Sequence, residues 1–248
     1  MPRVLLTVAY DGTEYAGWQR QENAIAVQEV LEEALGRLLG CEVKVAGASR
    51  TDAGVHALGQ QAAFSASSSH MQIPLEKLPQ VLNGFLPSDI TVSGARVVDD
   101  DFNPRFSALH KTYCYQIYNA AVPNPLVRRY SAFVARELDF GLMQEAAGYF
   151  VGKHDFKAFC ASGSSAKTTV RTVFSCGMER DGGLIKMRIC GDAFLYNMVR
   201  IIAGTLVYVG IGKISAEDIP SVIRSSERER AGKTMPPEGL CLEWVQLI

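Results

Sequence analysis

The amino-acid sequence predicts an α+β fold in two halves. Segments with apolar residues at alternate positions, typical of half-buried strands, intersperse with segments of helical spacing. Each half has one strongly apolar or amphipathic helix near its centre. A length of 248 residues, 48% of them hydrophobic, suits two modest globular domains. We place them at residues 1–104 and 105–248.

The predicted elements follow from periodicity and from glycine and proline turn signals. In the first half they are a strand at 3–10, a helix at 27–38, strands at 43–48 and 55–64, a helix at 75–86 and a strand at 90–98. In the second half they are a strand at 111–119, a helix at 138–151, strands at 170–179 and 184–190, a helix at 193–209, a helix opened by a capping box at 215–218 and a strand at 240–247. The serine-rich run 65–69 is predicted to be a flexible connector.

The most apolar run, residues 193–211, is long enough to suggest a membrane span. It contains Arg200, and a charge near mid-bilayer costs about 2.5–3.5 kcal/mol. A buried helix of a soluble protein is therefore the better interpretation. The N-terminus shows no signal-peptide pattern, so we expect a cytoplasmic protein without a membrane partner.

Metal binding gets no support from the six cysteines and four histidines. No cysteine pair has C-x-x-C spacing, and no cysteine–histidine set has finger-like spacing. We expect reduced thiols and no metal.

The net charge of −1 hides an uneven distribution. Residues 102–136 contain no Asp or Glu, but they contain five Lys or Arg residues and seven aromatic residues. Because phosphate contacts depend on the local face and not on the total charge, the chain can present one basic surface to a nucleic acid.

The most informative segment is residues 48–57, ASRTDAGVHA. It places the carboxylate of Asp52 between Arg50 and Gly54, in a loop that joins two extended segments. By its spacing alone this loop is most simply a surface turn.

Several further blocks accompany that loop in a fixed order along the chain. They are YDGT at 10–13, GWQRQ at 17–21, RTDAGVHA at 50–57, RFSA at 105–108, the pair Tyr113 and Tyr115, FL at 194–195 and MVR at 198–200. With these blocks the chain resembles the tRNA pseudouridine synthase A (TruA) family over nearly its whole length. Two departures concern loop geometry: Ser49 stands where glycine is usual, and Asn103-Pro104 replaces a common His-Ala pair.

The resemblance implies two RRM/ferredoxin-like α/β domains, whose mainly antiparallel strands form one central sheet with helices packed on it. The active-site cleft would lie between the domains. The implied reaction isomerises uridine to pseudouridine at positions 38–40 of the tRNA anticodon stem-loop, without a cofactor. The family also implies a homodimer in which one tRNA touches both subunits.

Under this resemblance Asp52 is the nucleophile, which attacks C1′ or C6 or promotes formation of a glycal. Tyr113 matches the active-site tyrosine that stacks on uracil and relays the C5 proton, although it also suits a half-buried strand position. Tyr115 lies on the same face by two-residue periodicity and is the alternative.

The cations have weaker assignments. Arg200 is predicted to pair with Asp52 or with a structural carboxylate. Arg50 either fills the space of the extruded base, grips a phosphate, or forms a salt bridge within its loop. Arg20, Arg105 and Lys111 are candidates for phosphate contacts.

Two other functions fit some of the same features. A non-catalytic RNA-binding module would use the aromatic and basic strand as a stacking platform. A glycoside or nucleoside hydrolase would use Asp52, but that class usually needs a second catalytic carboxylate, and the sequence nominates none.

Overall fold

The computed structural model describes residues 3–67 and 70–248, so Ser68 and Ser69 of the predicted connector lie outside the described residues. The α+β class and the mainly antiparallel strand pairing are confirmed. The chain forms two compact units. The first ends at Leu109 and also takes in Leu242–Ile248, and the second is His110–Cys241.

Elements before residue 100 belong to the first unit. They are β1 (Arg3–Tyr10), α1 (Val27–Leu39), β2 (Val45–Gly47), β3 (His56–Ser65), α2 (Leu78–Asn83) and β4 (Ile90–Val98). The later elements are β5 (Ala108–Asn119), β6 (Ala132–Val134), α3 (Phe140–Gly148), β7 (Gly152–Asp155), β8 (Val170–Asp181), β9 (Leu184–Gly191), α4 (Met198–Gly210), α5 (Ile219–Ser225) and β10 (Leu240–Leu247).

In the first unit the strands follow the order β4-β1-β3-β10, and β2 pairs with one end of β3. The pairs β1–β3, β1–β4 and β2–β3 are antiparallel. Helix α1 buries one face, including Val27, Leu31 and Leu35. It ends at Gly40, whose left-handed backbone (φ 67°) lets its N–H bond to the Gly36 carbonyl.

In the second unit the order is β5-β9-β8-β7, with antiparallel pairs throughout, and β6 runs parallel to β5. Helix α4 is buried along most of its length and packs on α3. Its backbone meets the segment 232–235 closely: the Gly232 N–H donates to the Thr205 hydroxyl at 2.8 Å, and a Cβ on Gly204 would overlap the Lys233 carbonyl.

Several element bounds differ from the sequence prediction. The compact units divide after Leu109, and most of β10 belongs to the first unit, where it pairs with β3; the division at 104/105 stays a prediction. The predicted helix at 193–209 begins only at Met198, since Asn197 adopts a left-handed backbone (φ 60°). The predicted capping box is wrong, because Ser215 makes no side-chain cap bond and precedes a short 3-10 turn.

Further differences concern short segments. The expected helix at 75–86 is a 3-10 turn followed by the six residues of α2. The strands β6 and β7, three and four residues long, were not predicted. The apolar run from residue 193 yields α4, which has 13 residues, and no helix within residues 3–67 and 70–248 is long and apolar enough to cross a membrane.

We expect Gly204→Ala to lower the free energy of unfolding by about 1–3 kcal/mol, because the added methyl overlaps the Lys233 carbonyl and the segment must move. Gly148→Ala is the matched helical control. Its methyl meets nothing within 4 Å, so the higher helix propensity of alanine should stabilise the protein by up to about 1 kcal/mol. Urea unfolding of both variants measures the contrast, and equal effects would contradict the packing argument.

Candidate functional site

The Asp52 loop, defined here as residues 48–55, joins β2 to β3. Asp52 is partly exposed, and its carbonyl accepts the Val55 N–H at 3.1 Å, which closes a turn. Gly54 within this turn has φ 76°, a left-handed conformation that favours glycine. The glycine two residues after the acid therefore has a backbone role.

A second loop, residues 11–18, packs against the Asp52 loop through the backbone. The Trp18 N–H donates to the Thr51 carbonyl at 3.1 Å, and the Gly54 N–H donates to the Tyr15 carbonyl at 3.2 Å. These two bonds lie on either side of Asp52, so its position depends on both loops.

Glycines make this close approach of the loops possible. A Cβ on Gly12 would overlap the Val55 carbonyl, and a Cβ on Gly17 would overlap the Thr51 carbonyl oxygen. No other residue fits either position without moving the backbone of the Asp52 loop.

Buried side chains hold the loops at their base. The Tyr10 hydroxyl lies 2.7 Å from the Thr51 hydroxyl, and the Tyr10 ring stacks on Trp18 with a centroid distance of 6.0 Å. Trp18 in turn lies directly on Gly47, where a Cβ would overlap its indole ring. The strand β1 and the end of β2 thus support the residue that precedes Asp52.

His56 and Tyr15 tie the second loop to its surroundings. The buried His56 accepts the Gly12 N–H on Nδ1 at 3.0 Å, and the same nitrogen lies 3.2 Å from Asp11. The Tyr15 hydroxyl donates to Asp89 at 2.7 Å. Burial, followed by this bond to the carboxylate, raises the pKa of Tyr15 well above its usual value, so the hydroxyl keeps its proton into the alkaline range.

In the second unit, Tyr113 lies on β5 and is largely buried. Its ring meets Phe194 edge-on, with a centroid distance of 5.2 Å and an interplanar angle of 84°. Phe194 belongs to the segment between β9 and α4 and lies close to Gly191, where a Cβ would be 3.2 Å from its ring. The two rings form an apolar wall beside the start of α4.

Tyr115, the alternative to Tyr113, is fully buried. Its hydroxyl donates to the Pro236 carbonyl at 2.7 Å, and its ring lies against Gly239. Burial raises the pKa of Tyr115, and nearby Glu238 raises it further. The hydroxyl of Tyr115 therefore holds the backbone before β10.

Arg200 lies in the first turn of α4 and is partly buried, not in the helix interior as the sequence suggested. Its Nε donates to the Met235 carbonyl at 2.7 Å, and a terminal nitrogen donates to the Asn197 side-chain oxygen at 2.7 Å. Two bonds on different nitrogens fix the plane of the guanidinium.

Comparison with known proteins decides the family. A family model described as tRNA pseudouridine synthase matches residues 6–107 and 146–246. The chain belongs to the tRNA pseudouridine synthase family. The protein of Acetivibrio thermocellus named tRNA pseudouridine synthase A is 52% identical over 242 residues, which cover 98% of each chain. Proteins of the same name from Thermoanaerobacter sp. and Geotalea uraniireducens are 48% and 46% identical, again over 98% of each chain.

Among solved structures, a chain from a Cbf5–Nop10–Gar1 complex aligns with 96% of this chain and 48% of its own length. Its sequence identity is 15% and its TM-score is 0.38, so it adds nothing to the family assignment.

Arg20, one of the cations predicted to contact phosphate in this family member, forms ion pairs within the first unit. Arg20 lies 3.2 Å from Glu29 and 3.1 Å from Glu32 of α1, and the bond to Glu32 raises its pKa. The buried Glu32 also accepts the Val45 N–H at 3.0 Å. These contacts give Arg20 a structural role, which competes with a phosphate contact.

The other three predicted phosphate-binding cations are Arg50, Arg105 and Lys111. Arg50 is exposed on the Asp52 loop, and Arg105 lies 5.9 Å from the ring of the exposed Phe106. Lys111 is partly buried on β5, opposite Gly191. Within the first unit, then, Arg50 shares a loop with Asp52, whereas Arg20 and Arg105 belong to other segments.

The supporting residues Tyr10, Gly17 and Thr51 were not predicted to act on the loop, although all three stand in the family blocks. The contact of Gly12 with the Asp52 loop was not predicted either. No cluster of three or more potential metal ligands occurs in the part of the chain that the structure describes.

Proposed function

We propose that this protein isomerises uridine to pseudouridine in tRNA, with Asp52 as the nucleophile. The C1′–N1 glycosidic bond breaks, the uracil turns, C5 bonds to C1′, a proton leaves C5 and N1 gains one. Atoms and electrons balance without an oxidant, a reductant or a transferred group. The Asp52 loop, which backbone hydrogen bonds hold on both sides of the acid, is the observation that carries the proposal.

Rigidity suits a nucleophile because a well-oriented reactant avoids the entropy cost of being brought to its target. The Thr51 carbonyl and the Gly54 N–H both form hydrogen bonds with the second loop, and these bonds restrain the backbone on either side of Asp52. A surface turn without function needs no such support, and the turn interpretation explains the loop less well.

Arg200 is proposed to keep Asp52 ionised. A cation in the first helical turn is opposed by the positive end of the helix dipole, so it gains from a nearby anion. The bonds to Met235 and Asn197 already aim the guanidinium, which lowers the entropy cost of forming an ion pair. A neighbouring cation lowers the pKa of a carboxyl group, as a nucleophilic carboxylate requires.

Tyr113 is proposed to stack on the detached uracil and to relay the C5 proton. The edge-on contact with Phe194 holds its ring, and the hydroxyl of Tyr115 is already engaged by Pro236. An aromatic wall retains a base by stacking without reading its identity.

We further propose that the target lies at positions 38–40 of the anticodon stem-loop. A base in a stem must be extruded before chemistry, at a cost of a few kcal/mol. The exposed Arg50, two residues before Asp52, is suited to fill the vacated space or to hold the adjacent phosphate.

The proposal includes a homodimer in the cytoplasm. A protomer with a net charge of −1 gains a longer basic track when two acid-poor faces join. Light scattering gives the mass in solution, and a fully active monomer would contradict the dimer.

Asp52→Asn should abolish turnover while tRNA binding persists, since the amide keeps the shape but removes the nucleophilic charge. The assay uses tRNA tritiated at uridine C5 and follows tritium release together with free uracil. Asp99→Asn, which changes an exposed acid after β4, is the control and should retain activity.

The same assay separates the alternative functions. Tritium release without free uracil indicates isomerisation, and free uracil indicates a hydrolase. If Asp52→Asn changes neither activity nor binding, the catalytic role of Asp52 is wrong and an RNA-binding module becomes the better interpretation.

Arg200→Met should lower kcat by about 10²-fold, because the developing charge loses its partner. Arg224→Met, at an exposed position of α5, is the matched control. Unchanged turnover in Arg200→Met would rule out the pairing.

Tyr113→Phe should retain tRNA binding but slow tritium release by about 10²-fold or more, the usual contribution of a positioned acid or base. Tyr115→Phe is the comparison. It loses one bond to a backbone carbonyl, so it should lower stability by about 1 kcal/mol and change turnover little. Normal tritium release from Tyr113→Phe would exclude the proton relay and leave stacking intact.

A further inference from the structure

Gln60 is a fully buried polar side chain in the strand that follows the Asp52 loop. Its amide makes two bonds to one residue across the base of that loop. Nε2 donates to the Ser49 carbonyl at 2.6 Å, and Oε1 accepts the Ser49 N–H at 3.2 Å. Both backbone groups of Ser49 are thus satisfied by a single side chain.

These bonds continue the pairing of β2 with β3 after the backbone ladder stops. The ladder runs through Val45–Phe64 and Gly47–Ala62, and the Ala48 N–H still donates to the Gln61 carbonyl at 2.8 Å. At the next position the Gln60 side chain takes the place of the backbone.

The side chain is needed because the edge of β3 changes partners there. β1 pairs along one edge of β3. Along the other edge, β10 replaces β2 as the neighbour of β3. At Gly59 the two backbones are so close that a Cβ would lie 2.5 Å from the Glu243 carbonyl oxygen. Ser49 must therefore leave the sheet, and the Gln60 amide supplies the bonds that the departing backbone loses.

These bonds reach only the backbone of residue 49, so they are compatible with the serine that stands where the family usually has glycine. The non-glycine residues with a positive φ in the described part of the chain are Asn197 and Ser226, so Ser49 has an ordinary backbone conformation. The departure causes no strain at the base of the loop.

We propose that Gln60 is a positioning residue for Asp52, an inference that rests on the proposed function. It acts through Ser49, three residues before the acid. Without the amide, two buried backbone groups lose their partners, and the loop must open toward water to satisfy them. A displacement of about 1 Å at a reacting group can cost about 10²-fold in rate.

The test compares Gln60→Met with Gln61→Met. Both replace an amide by an apolar side chain of similar volume at adjacent positions of β3. Gln61 is also buried, but its amide donates to the Thr7 hydroxyl at 3.1 Å, away from the Asp52 loop. Its side chain is the matched control for loss of a buried polar group.

We expect Gln60→Met to lower kcat for tritium release by about 10²-fold and to change KM for tRNA less than about threefold. Hydrogen exchange should quicken at the amides of residues 49–54. Gln61→Met should keep kcat within about twofold and leave exchange at these amides unchanged. A Gln60→Met kcat within twofold of the wild type, or equal losses in both variants, would overturn the proposal.

If Gln60→Met does not fold, Gln60→Glu replaces it, because the carboxyl keeps the acceptor for the Ser49 N–H and loses the amide donor. An intermediate kcat with faster exchange at residues 49–54 supports positioning, and wild-type values of both contradict it. Absence of tritium release from the wild-type protein would refute the proposed function itself. The exchange data would then still decide whether Gln60 holds the loop.

Discussion

The backbone contact between residues 11–18 and the Asp52 loop is the constraint on which the arrangement of the first unit depends. It needs glycine at positions 12 and 17, because a methyl at either one overlaps a carbonyl of the other loop. Tyr10, His56 and Trp18 then close around this contact with bonds and stacking. The backbone of Asp52 is consequently positioned by the contact between the two loops.

Much of the fold follows from the sequence because it depends on local periodicity. The strands β1, β4 and β10 have the predicted bounds, and α1 differs by one residue. The predictions that were wrong depend on tertiary context. The start of α4 is set by Asn197, which has a left-handed backbone and whose side-chain oxygen accepts a hydrogen bond from Arg200. A hydropathy pattern carries no information about such a backbone conformation.

The site divides in the same way. Asp52, Tyr113 and Arg200 could be named as candidates because the resemblance implies a role for each of them, whereas it implies none for Tyr10, Gly17 and Thr51 of the same blocks. A weaker signal was the pair of adjacent glutamines in β3, Gln60 and Gln61, since a buried amide needs partners. What the sequence could not show is which backbone groups those amides meet, because the partners are set by the pairing of β3.

The close approach of Gly204 to the segment 232–235 has a consequence for the effect of mutations in α4. That segment ends at Met235, whose carbonyl receives Arg200 and whose N–H donates back to the Arg200 carbonyl at 3.2 Å. Under the role proposed for Arg200, the packing of α4 and the orientation of the guanidinium therefore depend on the same few atoms. A mutation on the buried side of α4 would then change turnover through Arg200, without altering any residue of the Asp52 loop.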